Sequence, residues 1–237
     1  TAVGTNSLAA NTTADYNTAV GYGAADAVTT GAENTAVGYN AFTSATTAAY
    51  SVALGYRALL NATTSSYNTA VGYDSMKDTS TGANNTALGG RSLQSCTTGD
   101  SNVALGDYAL HTSTTASNNT AVGTQALRYN TTGSGNVAVG YDALKDNTTG
   151  TQNVSVGRNC LSSNTTASYN IAIGHNTMET NTTGAGNVAV GYKALNIQTT
   201  ADANTAIGYQ CMEDNTTGAS NSAVGRRTLE SNTTPKH

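Results

Sequence analysis

One glycine recurs every 17 residues from end to end: Gly4, Gly21, Gly38, Gly55, Gly72, Gly89, Gly106, Gly123, Gly140, Gly157, Gly174, Gly191, Gly208 and Gly225. No insertion or deletion breaks the series. A strict short period means that each copy meets the same surroundings, as when copies stack on one another. With that glycine numbered zero, position −2 is Ala in every copy but one, where it is Ser155. Position −1 is always Val, Leu or Ile, and +4 is Leu, Met or Phe except at Ala25. Position +9 is always Thr, and −4 is Asn except at Ser51.

The content of the repeat argues against helices. Mid-phrase glycine, adjacent threonines and β-branched runs are poor helix formers. The phrase T/V-A-V-G-Y alternates instead, with −3 and −1 pointing one way and −2 and zero the other. N-T-T-G and G-Y-x-A carry turn chemistry. The expectation is an all-β chain: a parallel β-solenoid of 14 coils with 17 residues per coil. Residues 1–237 read as a single uncapped repeat array, not as globular domains. At ~4.8 Å per coil, fourteen coils predict a stack of roughly 65–70 Å. Gly at zero reads as a structural ladder that needs positive φ or a close backbone approach. Asn at −4 reads as a ladder of side-chain amides.

Hydrophobic residues make up only 38% of the chain, with one Phe and no Trp. A thin core follows, and the expectation that the small Ala/Gly face packs against another chain. The ten basic and fourteen acidic residues give a net charge of −4. Lys and Arg read as scattered, without a basic stripe, which argues against nucleic acid. No apolar run reaches a membrane span and no signal peptide is apparent. The chain begins within a repeat phrase and carries no terminal cap. Two expectations follow: a piece of a longer fibre, or head-to-tail stacking of copies.

No residue pattern spells out a reaction. His111, His175 and His237 occupy different repeat positions without partners at metal-ligand spacing, so neither a metal site nor a cofactor is expected. Cys160 and Cys211 share position +3 but lie three coils apart, beyond disulfide reach, and read with Cys96 as small fillers. Tyrosine occupies +1 in seven copies and −5 in four. It offers either an aromatic surface for glycans or a partner chain, or a column packed on itself. Asn11, Asn130, Asn147, Asn164, Asn181, Asn215 and Asn232 open N-T-T, and Asn61 opens N-A-T. These are candidate glycosylation sites, or simply turn residues. The adjacent threonines at +8 and +9 raise ice binding, but residues one apart in a strand face opposite ways.

Two phrases, Ser51-Val52-Ala53-Leu54-Gly55 and Asn102-Val103-Ala104-Leu105-Gly106, resemble the head repeat of trimeric autotransporter adhesins. The longer N-T-A-V-G-Y-x-A-L-x-x-N-T-T-G phrase resembles repeats of phage and giant-virus tail-fibre-like proteins. The first resemblance implies a left-handed β-roll and a homotrimer, although that family's repeat is shorter and its turns must differ. Both imply surface fibre, attachment or scaffold roles. The combined expectation is a non-enzymatic structural fibre, extracellular or on a cell or virion surface. Its partner would be itself, as homotrimer or head-to-tail polymer, with surface glycans a further candidate. The alternative is a discrete solenoid that binds ice or carbohydrate.

Overall fold

A computed structural model describes residues 1–231; Asn232, Pro235 and His237 lie outside the described residues. The chain is all-β, a parallel β-solenoid with 17 residues per turn, and no helix occurs among the described residues. All strands are parallel and follow chain order. The chain forms two compact units divided after Asn118.

The first unit holds β1 (Ala2–Val3), β2 (Thr18–Val20), β3 (Thr35–Val37), β4 (Val52–Leu54), β5 (Thr69–Val71), β6 (Thr86–Leu88) and β7 (Val103–Leu105). The second holds β8 (Thr120–Val122), β9 (Val137–Val139), β10 (Val154–Val156), β11 (Ile171–Ile173), β12 (Val188–Val190), β13 (Thr205–Ile207) and β14 (Ser222–Val224). Pairing is in strict register at the 17-residue offset, as in Thr69 opposite Thr86 and Ala70 opposite Ala87.

Within each unit, successive coils bond to one another. The Thr35 N–H donates to the Ser51 carbonyl of the next coil at 2.9 Å, and the Gly38 N–H to the Val20 carbonyl of the previous one at 2.9 Å. Beyond the strand the pattern continues through a corner with repeated left-handed residues. Positions +2, +4 and −5 all have φ near +50 to +60°, as at Arg57 (52°), Leu59 (52°) and Tyr67 (60°). A non-glycine residue in this region costs roughly 1–2 kcal/mol. Asn and Asp, which tolerate it best, fill +2 at Asn6, Asn40, Asp74, Asp142, Asn159 and Asn176. At +4 the cost is offset by burial and by inter-coil bonding. Leu59 is fully buried and its N–H donates to the Ser75 carbonyl at 3.1 Å.

The interior is narrow. Its largest members are the +4 residues, from Phe42 and Leu59 in the first unit to Leu195 and Met212 in the second. Opposite them stands the −2 alanine column, also fully buried, as at Ala70, Ala87 and Ala138. Leu reaching in from the corner leaves room only for a small residue on the strand, Ala in every copy but Ser155. This corrects the expectation for the Ala/Gly face: its alanines are interior and its glycines half-buried, and the strand's outward face carries the larger Val, Leu, Ile and Thr. The zero-position glycines have φ of about +130 to +139°. A Cβ on Gly72 would stand 2.5 Å from the Gly89 carbonyl oxygen, so the glycine ladder serves both φ and close approach.

Candidate functional site

The surface consists of parallel columns, one residue per coil. Positions −3 and −1 form an outward face of Thr, Val, Ile, Leu and Ser, with no charged residue among the described strands. Their exposure is substantial for side chains of this kind, 44% at Leu54 and 53% at Leu88. Strand alternation puts them outside because Ala at −2 takes the inside.

Next to this face run the tyrosines of position +1. Tyr22, Tyr39, Tyr56 and Tyr73 stack face to face, with ring centroids 5.2–5.4 Å apart. Tyr192 stacks on Tyr209 at 5.2 Å and on the His175 ring at 5.6 Å. At −5, Tyr50 and Tyr67 stack at 4.8 Å. The tyrosines therefore pack on one another, and cations cover further ring faces, as with Arg57 over Tyr56 and Arg91 over Tyr73. Sugars stack on ring faces. Tyr39 and Tyr56 each have a tyrosine ring on both sides, which leaves less of their faces free.

The basic residues are not scattered in space. Every described Lys and Arg falls at +1, +2 or +5, so one corner of the coil carries them all. A signal for this was present in the repeat register. Acidic residues share that corner and pair with them: Arg57 with Asp74 at 2.6 Å, and Lys193 with Glu213 at 3.3 Å. Hydrogen bonding to Asp74 raises the Arg57 guanidinium further above its usual range. The corner is a mixed ion-pair network.

Two asparagine ladders run through the interior. At −4, each side chain bridges coils: Asn68 Nδ2 donates to the Gly82 carbonyl at 2.9 Å, and its Oδ1 accepts the Asn85 N–H at 2.9 Å. The second ladder, at +7, is the one sequence reading missed. Asn147 Nδ2 donates to Asn130 Oδ1 at 2.8 Å and to the Gly150 carbonyl at 2.9 Å; Asn164 repeats the pattern on Asn147. It belongs to the second unit. In the first, +7 is Val28, Ala45, Ala62, Thr79, Cys96 and Ser113 after Asn11, and the buried hydroxyls of Thr79 and Ser113 have no partner.

The +7 ladder bears directly on the glycosylation candidates. Asn130, Asn147, Asn164, Asn181 and Asn215 are fully buried, with their amide nitrogens engaged in hydrogen bonds. A glycan on any of them would occupy the solenoid interior. Asn11 and Asn61 are exposed.

The +8 and +9 threonines play different parts. At +8 the hydroxyl donates to the +8 carbonyl of the next coil, as from Thr148 to Thr165 at 3.0 Å and from Thr165 to Thr182 at 3.1 Å. At +9 the side chains are exposed in every described copy. The cysteines are free and buried, and desolvation pushes the thiols of Cys96 and Cys160 up to about 11. Among the described residues no three His, Cys, Asp or Glu side chains are grouped to hold a metal ion, and no helix is long and apolar enough to cross a membrane.

Comparison with protein-family profiles, with curated proteins and with solved structures finds no match to this chain.

Proposed function

We propose that the chain is a non-enzymatic building element of an extracellular or surface fibre that associates with copies of itself through the outward face of its strands. The carrying observation is the chemistry of that face. Seven rungs ~4.8 Å apart, of about three residues at ~3.3 Å each, give either unit a strand face of roughly 300 Å² in plan. No charge interrupts it. This area is the lower end of the ~300–600 Å² of the largest apolar patch on ordinary monomers, a patch that is often functional, and Thr or Ser takes position −3 in eight of the fourteen copies. The backbone is held by bonds in both directions along the coils, so the scaffold suits a load-bearing or spacing role. The resemblance of the repeat to fibre and adhesin phrases points the same way.

Sedimentation velocity and negative-stain electron microscopy of the full chain test this reading, alongside a variant carrying Val71→Lys, Leu88→Lys and Val139→Lys. These side chains point outward, so circular dichroism should remain that of the parent. Assembly by the parent and loss of assembly by the lysine variant are expected. A parent that stays monomeric at tens of micromolar (the ~1 μM to mM range in which weak association is read), or a lysine variant that assembles equally, overturns it.

A further inference from the structure

Eight of the thirteen tyrosines stand one coil away from another tyrosine at the same repeat position. They make five pairs: Tyr22–Tyr39, Tyr39–Tyr56, Tyr56–Tyr73, Tyr50–Tyr67 and Tyr192–Tyr209. Ring centroids are 4.8–5.4 Å apart and ring planes are within 5–18° of parallel. Rings this near and this nearly parallel, carried at the same position of successive coils, bring the two phenols side by side. The rings are also open to solvent; in the Tyr22 to Tyr73 column they are 41–50% exposed. They can therefore swing about their side-chain torsions without moving the backbone. The other five tyrosines, Tyr16, Tyr108, Tyr129, Tyr141 and Tyr169, have no tyrosine at the equivalent position of either adjacent coil.

We propose that these columns are sites of oxidative dityrosine formation, which staples each coil covalently to the next. The co-reactants are a haem peroxidase and hydrogen peroxide. The peroxidase removes one electron and one proton from each of two phenols. The two phenoxyl radicals join through a carbon–carbon bond between ortho carbons. Each of those carbons then passes its hydrogen to the phenol oxygen, which restores both rings. Two electrons and two protons leave the chain and reduce one hydrogen peroxide to two water molecules, so each bond lowers the chain mass by two hydrogens.

Geometry, not exposure, selects the partners. By exposure alone Tyr16, at 84%, would react most, and it would couple between chains. A ring held in contact by the fold has an effective concentration of at least the millimolar order, against a chain at ~1 μM, so bonds within the chain exceed bonds between chains by about 10³-fold. The columns also sit at a corner of the coil, outside the narrow interior, where a shortened ring-to-ring distance does not disturb the +4 residues.

The test treats the full chain at micromolar concentration with peroxidase and peroxide, with N-acetyltyrosine coupled in parallel to show that the oxidant works. Dityrosine fluorescence, migration on a denaturing gel and cross-linked peptide mass spectrometry are read. Expected is dityrosine in chains of monomer mass, mapping to the five pairs. In Tyr50→Phe, which keeps a ring in the stack, the bond to Tyr67 is lost and the Tyr192–Tyr209 bond remains. Absence of dityrosine while N-acetyltyrosine couples overturns the proposal. So do bonds that map mainly to Tyr16, Tyr129, Tyr141 or Tyr169, or bonds chiefly between chains. The outcome is independent of whether copies associate through the strand face.

Discussion

Removing one asparagine from the −4 ladder should cost more in the first unit than in the second, because the second unit has a spare donor. In the first unit, Asn68→Ala strips the Gly82 carbonyl of its side-chain donor and the Asn85 N–H of its acceptor. Both groups are buried, and neither the Ala62 nor the Thr79 side chain at +7 bonds the Gly82 carbonyl. At ~1–3 kcal/mol for each buried group left unsatisfied, the loss is about 2–6 kcal/mol. In the second unit, Asn153→Ala likewise deprives the Asn170 N–H of its acceptor. The Ala167 carbonyl loses the Asn153 donor at 2.9 Å but keeps Asn164 Nδ2 at 3.1 Å. One orphan instead of two predicts a loss of about 1–3 kcal/mol. A repeat array opens coil by coil, so local free energies must be read. Native-state hydrogen exchange supplies them at the amides of the two coils flanking each substitution. The protection lost in Asn68→Ala should exceed that lost in Asn153→Ala by about 5- to 150-fold. Equal losses, or a larger loss in Asn153→Ala, would refute the idea that the +7 ladder backs up the −4 ladder.

Three further outcomes follow from the same geometry. Gly72→Ala must relieve a 2.5 Å approach to the Gly89 carbonyl oxygen at a φ of +134°, so it should lose at least about 1–3 kcal/mol, seen as a lower thermal midpoint and faster proteolysis near that coil. Glu33→Gly should instead stabilise: Glu33 is exposed with φ +59°, and relief of roughly 1–2 kcal/mol outweighs the ~0.5–1 kcal/mol entropy cost of glycine. A thermal melt that falls would contradict the strain argument. The thiols should show pH-linked stability. Cys96 and Cys160 are raised by desolvation to about 11 in the folded chain from an ordinary 9. The neutral form is favoured by folding, so this stability is complete below pH 9 and declines as pH rises towards 11. Iodoacetamide at pH 8 should label none of the three cysteines until the chain is unfolded, and substitution of both by Ala should flatten the decline.

Much of the architecture was legible before any coordinates. The 17-residue period, the glycine at zero and the V-A-V alternation are enough for a stacked parallel solenoid, because a strict period admits only arrangements in which every coil sees the same neighbours. The −4 asparagine ladder was legible for the same reason. The tyrosine columns were legible as columns, but not the parallel ring stacking that covers their faces.

Tertiary structure decided which side of each strand is inside. Alternation separates −2 and zero from −3 and −1 but carries no sign, and hydrophobicity suggests the wrong one. The sign comes from the corner: Leu at +4 adopts a left-handed conformation that propensity does not forecast, fills the narrow interior, and leaves space only for a small residue at −2. That choice turns Val and Leu of the strands outward and creates the face proposed for association. The +7 asparagines were hidden by a similar degeneracy, since N-T-T reads equally as a turn, a sequon or a ladder. Only the closure of the coil shows that the amides of Asn130, Asn147, Asn164 and Asn181 point inward, where the last three each donate to the amide oxygen one coil away.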